Sequence, residues 1–435
     1  MATIALNPVG GGLSIQKKRP STLGAIGLAL SGGPVYKWPV AATAHNSFDP
    51  LSFRWLRTGQ DGLEAMLRAL GAARQSVCLE TYTFDSSPIA CSFLEALAQA
   101  SARGVKVRLL IDAIGSMGLA DSFWTPLRQA GGAVRWFNPL SLKRLSYRDH
   151  RKLLVVDGSR AFLGGFNIAE DYFGDGVTHG WRDVGLVVQG PLAAELEASF
   201  DFMFDRADFK HKRLQRFRRG GAPVSTIKPD WQLLLSGPGR GHQTMKRFLA
   251  GDLAVARSVN IVSGYFLPTW RIRRELRRVV RRGGCVQLIL AGKSDVAISQ
   301  LASRRLYQGL LRAGVEIYEY QPQILHSKLF LADDVLYVGS ANLDARGLGI
   351  NYELLVRVDN PELAAEGREI FEQDLRHCRR ILLSEWPASR GLFQKLLEML
   401  SFLILARLDP YLARWQWRQW HRQSFPGPKP RRHKI

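Results

Sequence analysis

Two short segments of the chain place the same chemical groups at the same spacing. The first is His150-Arg-Lys152-Leu-Leu-Val-Val-Asp157, followed by Gly164-Gly165-Phe-Asn167; the second is His326-Ser-Lys328-Leu-Phe-Leu-Ala-Asp333, followed by Gly339-Ser340-Ala-Asn342. Both sit on apolar runs that read as buried strands, where residues two apart share a face, so each imidazole projects beside its ammonium group. One such pair is weak evidence for catalysis, because a lone strand histidine is more often a core or surface residue. Two pairs at equivalent places can converge on one pocket if two halves of the chain pack about a pseudo-twofold axis. That set of groups suits a phosphodiester. One neutral imidazole attacks phosphorus, the other, protonated, gives the leaving oxygen its proton, and the lysines hold the non-bridging oxygens together with Asn167, Asn342 and Ser340. We count His150, Lys152, Asp157, His326, Lys328 and Asp333 as the catalytic set. Strand parity nevertheless turns each Asp, seven positions after its His, to the opposite face, where it would anchor the following turn.

Other chemistries are poorly supported. The nine histidines show no metal-ligand spacing, and Cys78, Cys91, Cys285 and Cys378 lie too far apart for a metal knuckle or a small disulfide framework. No metal and no other cofactor is expected, and the cysteine usage fits a reducing cytoplasmic setting. The glycine-rich Ser236-Gly-Pro-Gly-Arg-Gly-His242 lacks the Gly-Lys-Ser/Thr ending of a phosphate loop and reads as a turn.

The elements that must position these groups recur about 180 residues apart, the signature of an internal repeat. A helical pattern from Gly62 and a strand from Val77 to Tyr82 correspond to Met245 onward and Val259 to Val262. The helix Leu94 to Ala102 and strand Val105 to Asp112 correspond to Leu276 to Arg282 and Val286 to Leu290. The strand at 133–139 answers the one at 315–322. Helices alternating with short apolar strands predict an α/β fold of two duplicated lobes, each a helix-flanked sheet, with the active site at the pseudo-twofold interface. The expected organisation is an N-terminal extension (1–48), a first lobe (49–206), a basic linker (207–240), a second lobe (241–385) and a C-terminal tail (386–435).

The sequence resembles the phospholipase D superfamily, whose hallmark is this HxKxxxxD motif followed by GG or GS and Asn, and within it the bacterial cardiolipin synthases. The resemblance covers roughly residues 50 to 385. It extends to Tyr82-Thr-Phe84, Arg103 to Asp112 with Gly115-Ser116, Trp181-Arg-Asp183, Ser236-Gly-Pro, Gly264-Tyr-Phe-Leu-Pro268, Asn342 to Arg346 and Asn351-Tyr-Glu353. It implies a phosphohistidine intermediate with His150 as nucleophile, no metal cofactor, and acidic groups, Asp183 and Glu353, that orient the histidine rings. Three positions depart from the family pattern. The turn after Asp333 is one residue shorter than that after Asp157, Gly347 stands where the family has Ser, and Gly264 where it commonly has Pro.

Substrate class must come from elsewhere in the chain. Sixty Lys+Arg against thirty-eight Asp+Glu give a formal charge of +22, which favours polyanions, either nucleic acid or anionic lipid. The arginine pairs 273/274, 277/278 and 281/282 recur at helical spacing and read as a solvated or lipid-facing surface in preference to a nucleic-acid groove. Leu392 to Leu408 forms an apolar helix pattern, followed by Trp415, Trp417 and Trp420 among Arg414, Arg418 and Arg422. Such interleaving fits an interfacial segment; the alternative is a helix packed back on the lobes. The apolar positions near Leu23 to Leu30 are interrupted by glycines and do not read as a signal peptide. The expectation is a phosphatidyltransferase making cardiolipin from phosphatidylglycerol and a second phospholipid. Its partners would be anionic phospholipid and the membrane surface, with no nucleic acid, and its place peripheral, on the cytoplasmic side of the bacterial inner membrane. A phospholipase D-type hydrolase is the first alternative and a superfamily nuclease the second.

Overall fold

The computed structural model describes residues 51–139, 146, 148–207, 225–238 and 244–424. The N-terminal extension, most of the basic linker and the last eleven residues lie outside these ranges. Along the first half run β1 (Ser52–Leu56), α1 (Gly59–Ala72), β2 (Ser76–Thr81), α2 (Pro88–Ala102), β3 (Lys106–Asp112), α3 (Thr125–Gln129), β4 (Ala133–Phe137), β5 (Leu153–Val156), β6 (Arg160–Gly164), β7 (Gly185–Gln189) and α4 (Pro191–Phe204). The second half opens on the edge strand β8 (Thr226–Ile227). It then repeats the first as β9 (Trp231–Ser236), α5 (Thr244–Val255), β10 (Ser258–Ser263), α6 (Trp270–Arg281), β11 (Cys285–Ala291), α7 (Ala297–Leu311), β12 (Glu316–Tyr320), β13 (Lys328–Ala332), β14 (Val335–Gly339), β15 (Glu353–Asp359) and α8 (Pro361–Leu375). A second edge strand, β16 (Cys378–Ile381), is followed by α9 (Leu392–Leu403), a π turn (Ile404–Leu408) and α10 (Asp409–Ser424).

Both sheets have one topology. The first is ordered β1-β7-β6-β5-β2-β3-β4, and the second runs β9-β15-β14-β13-β10-β11-β12 between its two extra edges. Within each, β2-β3-β4 and β10-β11-β12 pair in parallel through helical crossovers, while the motif strands β5 and β13 pair antiparallel with β2 and β10. The strands read as near-continuous apolar runs because both faces are covered. Helices α1 to α3 and α5 to α7 bury the outer faces in separate cores. The inner faces share a third core with α4 and α8, which holds Val155 and Leu186 of the first sheet together with Leu331 and Val356 of the second. The Trp55 indole donates to the Leu363 carbonyl across the halves at 3.2 Å.

The expected linker ran too far. Trp231–Ser236, fully buried, is the counterpart of β1 and pairs with β15, so the second sheet begins inside the stretch assigned to the linker. Its brevity and the dense arginines just before it hid it in the sequence. In the tail the π turn carries the backbone into α10 with Pro410 in its first turn. Its inner side packs on the second lobe through Phe402, Leu405 and Ala406.

Candidate active site

The repeat places the two motifs at one seam. Asp149 bridges Tyr352 and Arg182 bridges Leu325 in short parallel contacts related by the internal symmetry. The His150 amide donates to the Tyr352 carbonyl at 3.0 Å, and the His326 amide to the Arg182 carbonyl at 2.8 Å. Each motif is thus stitched by backbone to the segment carrying the acidic group of the other half.

That stitching crosses the acid–histidine pairs. His150 Nδ1 lies 3.0 Å from Glu353 Oε1, and His326 Nδ1 lies 2.6 Å from Asp183 Oδ2. Asp183 and Glu353 were expected to orient the rings, and each lies beside the histidine of the opposite lobe. A carboxylate at Nδ1 fixes the tautomer with the proton there, which leaves the Nε2 lone pair as the reactive site. The Tyr82 ring packs edge-on to His150, while Tyr172 and Trp181 pack against His326.

Lys152 and Lys328 are brought to the same place. Lys152 Nζ donates to the His150 carbonyl at 2.6 Å. Lys328 Nζ bonds the His326 carbonyl and lies against that ring, 2.7 Å from Nδ1 and 3.0 Å from Nε2. Burial draws both ammonium groups down, Lys152 to about 7 and Lys328 to about 8, against the attraction of Glu353 and Asp183. Burial, with the two lysines adding to it, holds both histidines well below the usual imidazole range and so keeps them neutral. Burial pushes the acids the other way, Asp183 to about 6 and Glu353 to about 8, against the pull of the lysines. The charges of Lys328, Lys152 and His150 all act on His326, so the two motifs share one electrostatic environment. Such a pocket gains from an anion, whose charge relieves the crowding of the cations.

Two parts of the expected set are corrected. Asp157 and Asp333, counted with the catalytic residues, sit at the far ends of their strands with φ of 53° and 50°. Asp157 accepts from the amides of Arg74, Gln75 and Ser76, and Asp333 from those of Arg257 and Ser258. They tie β5 and β13 to the start of β2 and β10, as strand parity requires, and leave the chemistry to others. Ser340 was expected at the phosphate; its hydroxyl instead donates to Glu353 Oε2 at 2.5 Å. The equivalent position in the first lobe is Gly165, where a Cβ would lie 2.2 Å from the Asp183 carboxylate. The residue after the first glycine of each motif therefore sets how the orienting acid is held: bare space for Asp183, a hydroxyl for Glu353. Asn167 accepts from the Thr83 amide at 3.0 Å, whereas Asn342 Oδ1 is buried with no hydrogen-bond partner among the described residues.

The departures from the family pattern have local causes. A Cβ at Gly264 would meet the Leu325 carbonyl oxygen at 2.3 Å, and one at Gly347 the Asn342 carbonyl oxygen at 2.4 Å. The shorter second turn is the two-residue link between β13 and β14, opposite three residues between β5 and β6.

Sequence reasoning missed the charges beneath the first motif. Arg148 Nη2 bonds Asp112 Oδ1 at 2.7 Å, and Arg151 Nη2 lies 3.1 Å from Glu80 Oε2, all of them buried. Arg182, beside Asp183, bonds Asp374 at 2.6 Å and carries the carbonyl that holds the second motif. A charged residue in an otherwise apolar strand, as Glu80 is, was the available signal. Among the described residues, no three His, Cys, Asp or Glu side chains gather in an arrangement that could hold a metal ion.

The family model described as "Cardiolipin synthase, PLD-like domain" matches residues 66–204 and 253–375. Cardiolipin synthase 1 of Bacillus anthracis is 30% identical over 371 residues, covering 82% of this chain and 72% of that protein. Cardiolipin synthase 1 of Bacillus cereus is 29% identical over 369 residues, with the same coverage. Among solved structures, phosphatidylserine synthase of Haemophilus influenzae shares the fold, with a TM-score of 0.68 at 12% identity over 83% of this chain and 95% of that one. With its duplicated sheets and paired motifs, the chain belongs to the phospholipase D superfamily, within the family of the cardiolipin synthase PLD-like domain.

Proposed function

We propose that this protein is a phosphatidyltransferase that makes cardiolipin from phosphatidylglycerol and a second phospholipid through a phosphohistidine intermediate. The observation that carries the proposal is the pair of crossed acid–histidine contacts. Two imidazoles, each with Nδ1 held by a carboxylate, present two Nε2 atoms to one cation-lined pocket. His150 Nε2 attacks phosphorus and forms an N–P bond as the bond from phosphorus to the leaving glycerol oxygen breaks. His326 gives that oxygen its proton. The hydroxyl of the second lipid then loses its proton to neutral His326 and attacks phosphorus, and His150 leaves. In this reading Lys152 and Lys328 hold the non-bridging oxygens, with Asn167 and Asn342 as further candidates.

The proton that His326 donates is taken up from solvent as the substrate binds. A phosphodiester anion offsets the lysine charges that keep the ring neutral, and Asp183 stabilises the imidazolium that results. The nuclease alternative is weakened, because four arginines of α6 and its C-terminal cap have partners within the protein. Arg274 and Arg278 pair with Glu275, Arg282 donates to the Leu253 and Ala256 carbonyls, and Arg273 lies over the Phe402 ring. Among the described residues no helix is long and apolar enough to cross a membrane. A peripheral position on the cytoplasmic side of the bacterial inner membrane fits the relatives' lipid chemistry. The test is incubation of purified protein with phosphatidylglycerol vesicles and analysis of products by mass spectrometry. Cardiolipin is expected; phosphatidic acid alone would make the enzyme a hydrolase, and unchanged lipid would remove the proposal.

A further inference from the structure

Between Leu392 and Gln416 the tail is amphipathic in an unusual sense, because its outer side is the more apolar one. Leu392 and Phe393 are 86% and 74% exposed, and Leu396, Met399, Leu400, Leu403, Ile404, Leu408, Tyr411 and Trp415 are each at least two-fifths exposed. The patch runs along a nearly continuous helical segment of roughly 37 Å at about 1.5 Å per residue. Monomeric soluble proteins rarely leave contiguous apolar patches above a few hundred Å² without a partner.

The charges of the same segment are sorted by side. Its acids are Glu398 and Asp409, and both turn inward: Glu398 Oε2 accepts from Arg390 at 2.6 Å, and Asp409 pairs with Arg346. Lys395, Arg407 and Arg414 are exposed on the outside, beside Arg273 and Lys246 of the lobe, which feel the charges of Arg407 and Arg414. From Pro410 to the end of the sequence there is no acidic residue. An outer surface made of apolar side chains and cations, with both acids of the segment held in ion pairs on its inner side, is complementary to anionic lipid and to little else.

The segment is also fastened to the active-site loop. Arg346 Nε bonds Asp409 Oδ2 at 2.8 Å and its Nη1 bonds the Ser146 carbonyl, while the Ser146 amide donates to Gln416 at 3.0 Å. Arg346 follows Asn342 by four residues, and its charge acts on His150 and Tyr82.

We propose that the outer face of α9–α10 is the surface on which the enzyme sits on an anionic bilayer, and that Arg346 sets the pocket beside that surface. The inference rests on the lipid substrate proposed above. Because the inner face packs on the core, the test uses substitutions on the outer face of the full chain. Phe393→Glu, Leu396→Glu and Leu400→Glu are combined, with the corresponding triple Ala variant as a milder second case. Binding is measured by sedimentation with phosphatidylcholine vesicles containing or lacking phosphatidylglycerol. Turnover of the soluble bis(p-nitrophenyl) phosphate reports an intact pocket.

The expected result is at least a tenfold loss of affinity for phosphatidylglycerol-containing vesicles in the Glu variant, a smaller loss in the Ala variant, and unchanged turnover of the soluble substrate. Wild-type binding should weaken with salt without vanishing, since the apolar part is unscreened. Unchanged vesicle binding by either folded triple variant overturns the proposal. So does a lipid-free wild-type dimer that both variants convert to monomer, which would make a second copy the occupant. Vesicle binding that is lost in the variants while no cardiolipin forms in the wild type overturns the proposed reaction and leaves this surface standing.

Discussion

The crossed pairs make a prediction that separates the two steps of the reaction. Replacing Glu353 by Gln keeps the shape beside His150 and removes the charge. At 3.0 Å, and with an effective dielectric of about 20, a full carboxylate–imidazolium interaction is worth about 332/(20 × 3.0), or roughly 5.5 kcal/mol. The amide oxygen can still accept from Nδ1, so about 3–4 kcal/mol should be lost, a fall in rate of roughly 10²- to 10³-fold. Asp183→Asn should cost a similar amount on phosphatidylglycerol, because it deprives His326 of the partner that stabilises its protonated form. The two variants part company on bis(p-nitrophenyl) phosphate, whose leaving group departs without a proton. In the first-turnover burst of nitrophenolate, Asp183→Asn should recover to within about tenfold of wild type, as should His326→Ala. Glu353→Gln should remain impaired, because the nucleophile His150 is still unsupported. The opposite pattern, with Glu353→Gln rescued and Asp183→Asn not, would assign each acid to the histidine of its own lobe or reverse the roles of the histidines. Equal defects on both substrates would refute the division of labour altogether.

Other outcomes follow from the same geometry. Lys152→Ala and Lys328→Ala should each lower kcat by about 10²- to 10³-fold, measured by initial rates, since each removes a charge aimed at the developing phosphorane. In the proposed reaction both lysines bind phosphate oxygens in their charged form, which exists below their lowered values of about 7 and about 8. Above about 8, where both lysines have lost their charge and Glu353 is already ionised, kcat/KM should therefore fall as pH rises, and a profile that goes on climbing there would contradict the assignment. Activity should persist in excess EDTA, because the ammonium groups supply the positive charge at phosphorus; loss restored by a divalent ion at the pocket would refute this. Glu398→Ala leaves Arg390 buried and unpaired, and should destabilise the fold by about 3–5 kcal/mol, read as a drop in unfolding temperature.

Much of this site was legible in the sequence because the duplication repeats chemistry and strand period together. His150 with Lys152 and His326 with Lys328 could be read as one pocket, and parity alone moved Asp157 and Asp333 to the turns. What the sequence could not show was which acid serves which histidine. That depends on the bridges of Asp149 to Tyr352 and Arg182 to Leu325, contacts between segments far apart in the chain. Ser340 misled for a related reason: its place beside Asn342 points to phosphate, but the nearer Glu353 claims its hydroxyl. The tail was read as either interfacial or packed, and helical periodicity could not separate the two; its inner side packs on the second lobe and its outer side is apolar and exposed.

Neither half of this protein is half an enzyme. A fragment ending before β8 would carry a whole first motif and a whole Asp183, yet its histidine would lack a carboxylate and its carboxylate would lack a histidine. Two such fragments made separately should recover activity only by associating, as complementing pieces. Joined in one chain, the copies no longer need to match, and they have drifted apart beneath the motifs. Where Glu80, Asp112, Asp149 and Arg151 stand under the first, the register places Val262, Ala291, Leu325 and Ser327 under the second. One histidine rests on a salt-bridged bed and the other on a largely apolar one, a divergence that an assembly of two identical chains could not hold.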